Sequence, residues 1–264
     1  MIMTILHSII LGIVEGITEF LPISSTGHLI LASQLLKIQD SDFVKSFEII
    51  IQLGAILSVL VLYWKTIWNW EMLKKLFVAF LPTAVIGLAL YKIVKTYLLG
   101  NTTVVLWSLF LGGIVLIVFE LWHERQGSGA LLSNGGEFNA KDLSYKKALA
   151  LGFFQSIAIV PGVSRSAATI VGGLWLGMKR RSIVEFSFLL AIPTMLAATG
   201  LDLIKNYQTF STGQFGSLAV GFAVSFIVAL VAIKFLLSFI RRHNFVPFGA
   251  YRIIMALVFW LIIL

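Results

Sequence analysis

Two short stretches of an otherwise apolar chain hold most of the residues able to do chemistry. In the first, Glu15, Glu19, Ser24, Ser25, Thr26, Gly27 and His28 fall between the apolar runs Ile9 to Val14 and Leu29 to Leu36. Glu15 and Glu19 stand at i and i+4 on one helix face, which suits a general base or, acting together, a pair of ligands for a hard divalent cation such as Mg²⁺ or Ca²⁺. Ser25 and His28, at i and i+3, have the register of a nucleophile and its base, or of a histidine that protonates a departing oxygen. A helix cap is an equally good reading of Ser25.

The second stretch is Pro161-Gly162-Val163-Ser164-Arg165-Ser166-Ala167-Ala168-Thr169. Its arginine presents a fixed fork of donors that matches phosphate. Ser164, Ser166 and Thr169 are phosphate ligands or caps, and Ser24, Thr26 and Gly27 open the helix after the first break, where backbone N–H groups favour an anion. Two carboxylates beside such a site repel bare phosphate, and a divalent cation bridging the two resolves the conflict most simply. Glu48, Gln52 and Gln155 are supporting polar groups. The first two either orient the carboxylates of the opening stretch or form a plain interhelical hydrogen bond. His7, His123 and His243 read as structural or solvated, and Arg252 as an anchor for the last helix at the cytoplasmic face.

The elements that must hold these groups are membrane helices. Of the 264 residues 59% are hydrophobic and 12% charged, far below the roughly 25% charged of a soluble domain. Apolar runs reach the ~20 residues that a helix needs to cross a bilayer, predicting full spans over Phe43 to Trp64, Leu76 to Val94, Thr103 to Trp122, Ser182 to Leu203, Leu218 to Phe239 and Val246 to Leu264. The opening run is too short to cross before its polar cluster begins. It reads as a re-entrant hairpin, in along Ile2 to Phe20, broken at Pro22, and out along Thr26 to Leu36. No cleaved signal peptide is read at the start.

The second half repeats the first. Gly12 matches Gly152 and Glu15 matches Gln155; after a one-residue deletion Pro22 matches Pro161, Ser25 matches Ser164 and Phe47 matches Phe186. The fold expected is an all-α membrane protein of two inverted repeats, each a re-entrant hairpin plus three spans. It forms a single membrane domain over 1–264, with a first repeat 1–122, a cytoplasmic linker 123–147 and a second repeat 148–264. Lys65, Lys74, Lys75, Arg125, Lys141, Lys146, Lys147, Lys179 to Arg181, Arg241 and Arg242 collect on one side, against Lys37, Lys45, Lys92, Lys95 and Lys205 on the other. That bias places the linker in the cytoplasm and the mouth of the first hairpin outside. The formal charge of +8 has this topogenic origin and does not point to nucleic acid. The absence of cysteine excludes disulfides and thiolate chemistry.

EGxTEFLPxSSTGH, FExxIQLGA and PGxSRSxxT, in that order, resemble the undecaprenyl-diphosphate phosphatase family, bacterial integral membrane enzymes linked to bacitracin resistance. The resemblance covers nearly the whole chain. It implies hydrolysis of undecaprenyl diphosphate to the monophosphate and phosphate, recycling the lipid carrier for cell-wall synthesis, in the bacterial plasma (inner) membrane. It also implies a divalent cation, and functional positions at Glu15, Glu19, Ser25, His28, Ser164, Arg165 and Thr169. The substrate partner is then a prenyl diphosphate lipid lying among membrane lipid, and a homodimer is compatible with the chain. Two alternatives stay open on the residues themselves: direct attack by water with Ser25 as a ligand, and an inverted-repeat transporter or flippase for a lipid phosphate or other anion.

Overall fold

The computed structural model describes residues 3–39, 41–98, 101–125, 143–206 and 212–263, whose regular structure is entirely helical. The helices are α1 (Ile5–Thr18), α2 (Ser25–Leu35), α3 (Asp42–Leu62), α4 (Trp64–Ile67), α5 (Trp70–Ile93), α6 (Thr102–Arg125), α7 (Tyr145–Ser156), α8 (Arg165–Trp175), α9 (Arg180–Asn206), α10 (Phe215–Phe239) and α11 (Val246–Ile263). Polar caps set several starts. Thr4 and His7 form a reciprocal capping box at α1, Ser41 accepts from the amide of Val44 at α3, and Asn69 accepts from the amides of Glu71 and Met72 at α5. His7 is thereby structural.

Five helices, α3, α5, α6, α9 and α10, are long and apolar enough to cross a membrane, whereas α11 falls with α1 among the shorter apolar helices. The arms around the two breaks are shorter still. At 14 residues α1 extends about 21 Å, less than the ~30 Å hydrocarbon core, and α2 has only 11 residues. The expected linker also needs adjustment at both ends. His123 to Arg125 continue α6, where basic side chains complement the helix C-terminus, and Ser144 caps α7 by accepting from the amide of Lys147. Residues 126–142 of that linker, with Lys141, lie outside the described residues.

The two halves pack by exchange of partners. Helix α1 packs mainly on α10 and α7 on α5, while α3 meets α9 and α6 meets α11. Small residues let these backbones approach. A Cβ on Gly12 would lie 2.8 Å from the carbonyl oxygen of Gly221, and one on Gly152 would lie 2.8 Å from ring carbons of Pro82 in α5. Gly12 and Gly152, matched in the sequence repeat, therefore occupy corresponding crossings. At the α6–α11 crossing, a Cβ on Gly113 would come within 2.7 Å of the Gly249 carbonyl oxygen.

The largest apolar cluster runs from Phe20 and Leu21 through Phe186, Phe188 and Leu190 to Phe245 and Phe248. It packs the first break, through Phe20, Leu21 and Ile23, into the interior. At the Lys- and Arg-rich end, a buried Arg180–Glu120 ion pair ties α9 to α6, with the guanidinium 4.8 Å above the Phe245 ring. His123 is buried and stacked 5.7 Å from Phe119, and His243 is stacked 4.4 Å from Phe239.

Candidate active site

Both breaks end in the same unusual turn. Ser24 (φ 74°, ψ 93°) and Ser164 (φ 77°, ψ 113°) are non-glycine residues in left-handed backbone, a conformation that costs on the order of 1–3 kcal/mol and persists where the surroundings impose it. Each caps the next helix, Ser24 Oγ accepting from the amide of Gly27 at 3.4 Å and Ser164 Oγ from the amide of Ala167 at 3.2 Å. The cap after the first break is thus Ser24, which leaves the neighbouring Ser25 side chain for other bonds.

Ser25 uses it on Glu19, donating its hydroxyl to Oε2 at 2.5 Å. The other oxygen of that carboxylate, Oε1, accepts from Arg165 Nη2 at 3.1 Å, and Arg165 Nη1 donates to the carbonyl of Ser187 at 2.6 Å. Arg165 Nε is buried without a hydrogen-bond partner. Residues far apart in sequence thus form one chain, Ser25 to Glu19 to Arg165, buried throughout. Ser166 strengthens the join by donating to the carbonyl of Leu21 at 2.8 Å. Since that bond uses its proton, Ser166 Oγ accepts from Ser164 Oγ, 3.1 Å away. Thr169 bonds within its own helix, donating to the carbonyl of Arg165 at 2.8 Å.

Glu15 is fully buried one turn before Glu19, and neither of its carboxylate oxygens has a hydrogen-bond partner. Such a group is costly unless something else compensates it. Among the described residues no group of three or more His, Cys, Asp or Glu gathers around a point; Glu15 and Glu19, one turn apart at the end of α1, are the carboxylates of the first break that could hold a cation. Two carboxylates with phosphate oxygens and water completing the shell suit Mg²⁺.

His28 is bonded differently from its expected pairing with Ser25. Its Nδ1 lies 2.7 Å from the Ser24 carbonyl and its Nε2 lies 2.8 Å from the Tyr251 hydroxyl, with the two rings parallel at 5.5 Å. A nitrogen facing a carbonyl carries the proton, so in the neutral ring Nε2 is the acceptor and Tyr251 donates. Glu48 reaches the first hairpin, accepting from Ser33 at 2.7 Å. Gln155 donates to Thr83 and Thr194 at 2.9 and 3.1 Å, supporting the second hairpin. Gln52 sits half-buried on α3.

Arg252 corrects the sequence reading. It is fully buried rather than anchored at a membrane surface, and its guanidinium donates to five backbone carbonyls. Pro22 belongs to the first break, Gly162 and Val163 to the second, and Ser108 and Leu109 to α6. The break carbonyls lose their helical partners, and a guanidinium with several fixed donors replaces them all at once. Gly112 makes the room, since a Cβ there would collide with the guanidinium. The sequence signals were an ionisable residue inside an apolar helix and the small residues Gly112, Gly113 and Gly249 around it.

Helical packing at membrane length, two broken helices meeting at a buried carboxylate–arginine–serine chain, and a second arginine bracing both breaks define a polytopic membrane protein with a buried polar site in its interior. The family described as Bacitracin resistance protein BacA matches residues 8–258, and this chain belongs to it. Similar proteins include the undecaprenyl-diphosphatase of Bdellovibrio bacteriovorus, 54% identical over 97% of this chain and 95% of that protein. The undecaprenyl-diphosphatase of Wolinella succinogenes is 53% identical over 97% of each chain. That of Aquifex aeolicus is 50% identical over 97% of this chain and 98% of its own.

Proposed function

We propose that this protein is an undecaprenyl-diphosphate phosphatase that hydrolyses the terminal phosphoanhydride of the lipid and gives bacitracin resistance by recycling the lipid carrier. The observation that carries the mechanism is the Ser25–Glu19–Arg165 chain, in which a hydroxyl is already bonded to a buried carboxylate. Ser25 Oγ attacks the terminal phosphorus while Glu19 takes its proton. The bond to the bridging oxygen breaks and undecaprenyl phosphate departs. Water then attacks phosphorus as its bond to Ser25 Oγ breaks, Glu19 returns the serine proton to that oxygen, and the product leaves as dihydrogen phosphate, carrying both protons of the water. Arg165 and the N-terminal amides of α2 and α8 stabilise charge on the transferring group.

Glu15 and Glu19 would hold a divalent cation, Mg²⁺ or Ca²⁺, which when bound neutralises phosphate charge beside the carboxylates. The orphaned oxygens of Glu15 support that reading. His28 holds the turn that presents Ser25, through the Ser24 carbonyl.

The exchange of helix partners and the matched Ser24 and Ser164 turns support two inverted repeats, each a re-entrant hairpin plus three spans, with α11 as the sixth. The Lys and Arg bias supports an active site facing outside in the bacterial inner membrane. The carrier alternative gains nothing from relatives that bear an enzyme's name.

Purified protein in detergent, given a soluble prenyl diphosphate, should release phosphate with added Mg²⁺ or Ca²⁺ and stop with chelator. No release under any metal would refute the proposal.

A further inference from the structure

A cavity of about 510 Å³ lies away from the active site, where the ends of α3 and α10 meet the start of α9. Its inner part is apolar, including Leu189 and Ile233, both fully buried. Its lining also carries Lys65, Arg181 and Lys234, with Glu185 as the carboxylate among them. Lys65 and Lys234 are exposed, and Arg181 Nε donates to Glu185 Oε1 at 2.8 Å. The balance of charge favours an anion. Trp64 and Trp68, beside the cavity in sequence, are 56% and 79% exposed, as tryptophans are at the headgroup level of a bilayer.

The cavity is distinct from the hydrolytic site. Tyr63 in its wall packs on Phe188 at 6.5 Å, and Phe188 packs edge-on to Phe20 at 5.2 Å. This aromatic row stands between the cavity and the turn after Glu19.

We propose that this cavity binds the headgroup and upper chains of an anionic phospholipid. The lipid phosphate lies among Lys65, Lys234 and Arg181, and its first methylenes lie along Leu189, Ile233 and Leu237. A soluble anion would leave the apolar inner part unused, and a zwitterionic lipid would place its own cation among three others. Each lysine at an anionic lipid contributes roughly fivefold to binding, so losing both weakens it on the order of twentyfold.

The test is native mass spectrometry of the detergent-purified protein titrated with phosphatidylglycerol or phosphatidylcholine. Phosphatidylglycerol should be retained in preference, Lys65→Gln/Lys234→Gln should lose that preference, and Leu237→Trp, which fills the apolar part, should lose the lipid with all cations intact. Arg241→Gln/Arg242→Gln removes two exposed charges from the same end of the protein and should change nothing. Equal retention of both lipids, equal loss in the control pair, or displacement of the lipid by inorganic phosphate would overturn the proposal. Because Lys65 and Lys234 lie outside the hydrolytic site, their variant should release phosphate from a soluble prenyl diphosphate at the wild-type rate, which separates this proposal from the enzymatic one.

Discussion

Arg165 Nη2 lies 3.1 Å from Glu19 Oε1, a buried ion pair between the two hairpins. It makes one site from two half-sites: Glu19 arrives with the serine it is bonded to, Arg165 with a helix N-terminus. Neither stretch supplies both the carboxylate–serine pair and the guanidinium.

Glu19→Gln preserves shape but removes both the acceptor for the Ser25 proton and the countercharge of Arg165. Phosphate release should fall about 10²–10⁴-fold. The uncompensated guanidinium should also lower stability by about 3–5 kcal/mol, read as an earlier unfolding transition in the same detergent. A wild-type rate would remove Glu19 from the site.

Arg252→Lys should be far from conservative. An ammonium has three donors and no planar fork, so several of the five break and α6 carbonyls lose their partner, at about 1–3 kcal/mol for each group left unsatisfied. Gly112→Ala, which pushes on the guanidinium from the other side, should give the same loss of thermal stability. If both variants unfold like wild type, the brace is not needed.

Tyr251→Phe keeps the ring stacked on His28 and deletes only the hydroxyl. The rate should drop about tenfold, within the usual worth of one hydrogen bond to a charged or functional group, with no change in unfolding temperature. In a His28→Ala background the same change should have no further effect, because the hydroxyl acts through the imidazole. An equal loss in both backgrounds would show that Tyr251 works elsewhere.

Glu15→Gln separates metal binding from folding. If Glu15 holds the cation, the variant should need at least about tenfold more Mg²⁺ for half-maximal rate, the scale seen when metal-site groups are removed. It should also unfold later than wild type in chelator, since it replaces a buried carboxylate lacking partners by a neutral group. An unchanged metal requirement would leave Glu15 without that role.

Much of this was legible in the chain. Apolar length marked the five long helices, and polar residues packed around Pro22 and Pro161 marked the breaks, because such groups are tolerated in a membrane interior only for a reason. The repeat paired the two breaks, but not the ion pair of Glu19 with Arg165 that joins them. What escaped was side-chain allegiance. Ser25 and His28 share a helix face, but spacing does not say that Glu19 folds back onto Ser25 while His28 turns to Tyr251. Arg252 looked like an interface anchor because a charge one turn inside an apolar run commonly snorkels. Its full burial, its five carbonyl partners and its contact at Gly112 show that it points inward.

The central claim is that Ser25, held by Glu19, is the nucleophile. A prenyl diphosphate labelled with ³²P on its terminal phosphorus, mixed with enzyme and quenched with acid within the first turnover, tests it most directly. The label should appear on Ser25 of the wild type, and Ser25→Ala should neither carry it nor release phosphate. Phosphate release by Ser25→Ala at the wild-type rate would contradict the account.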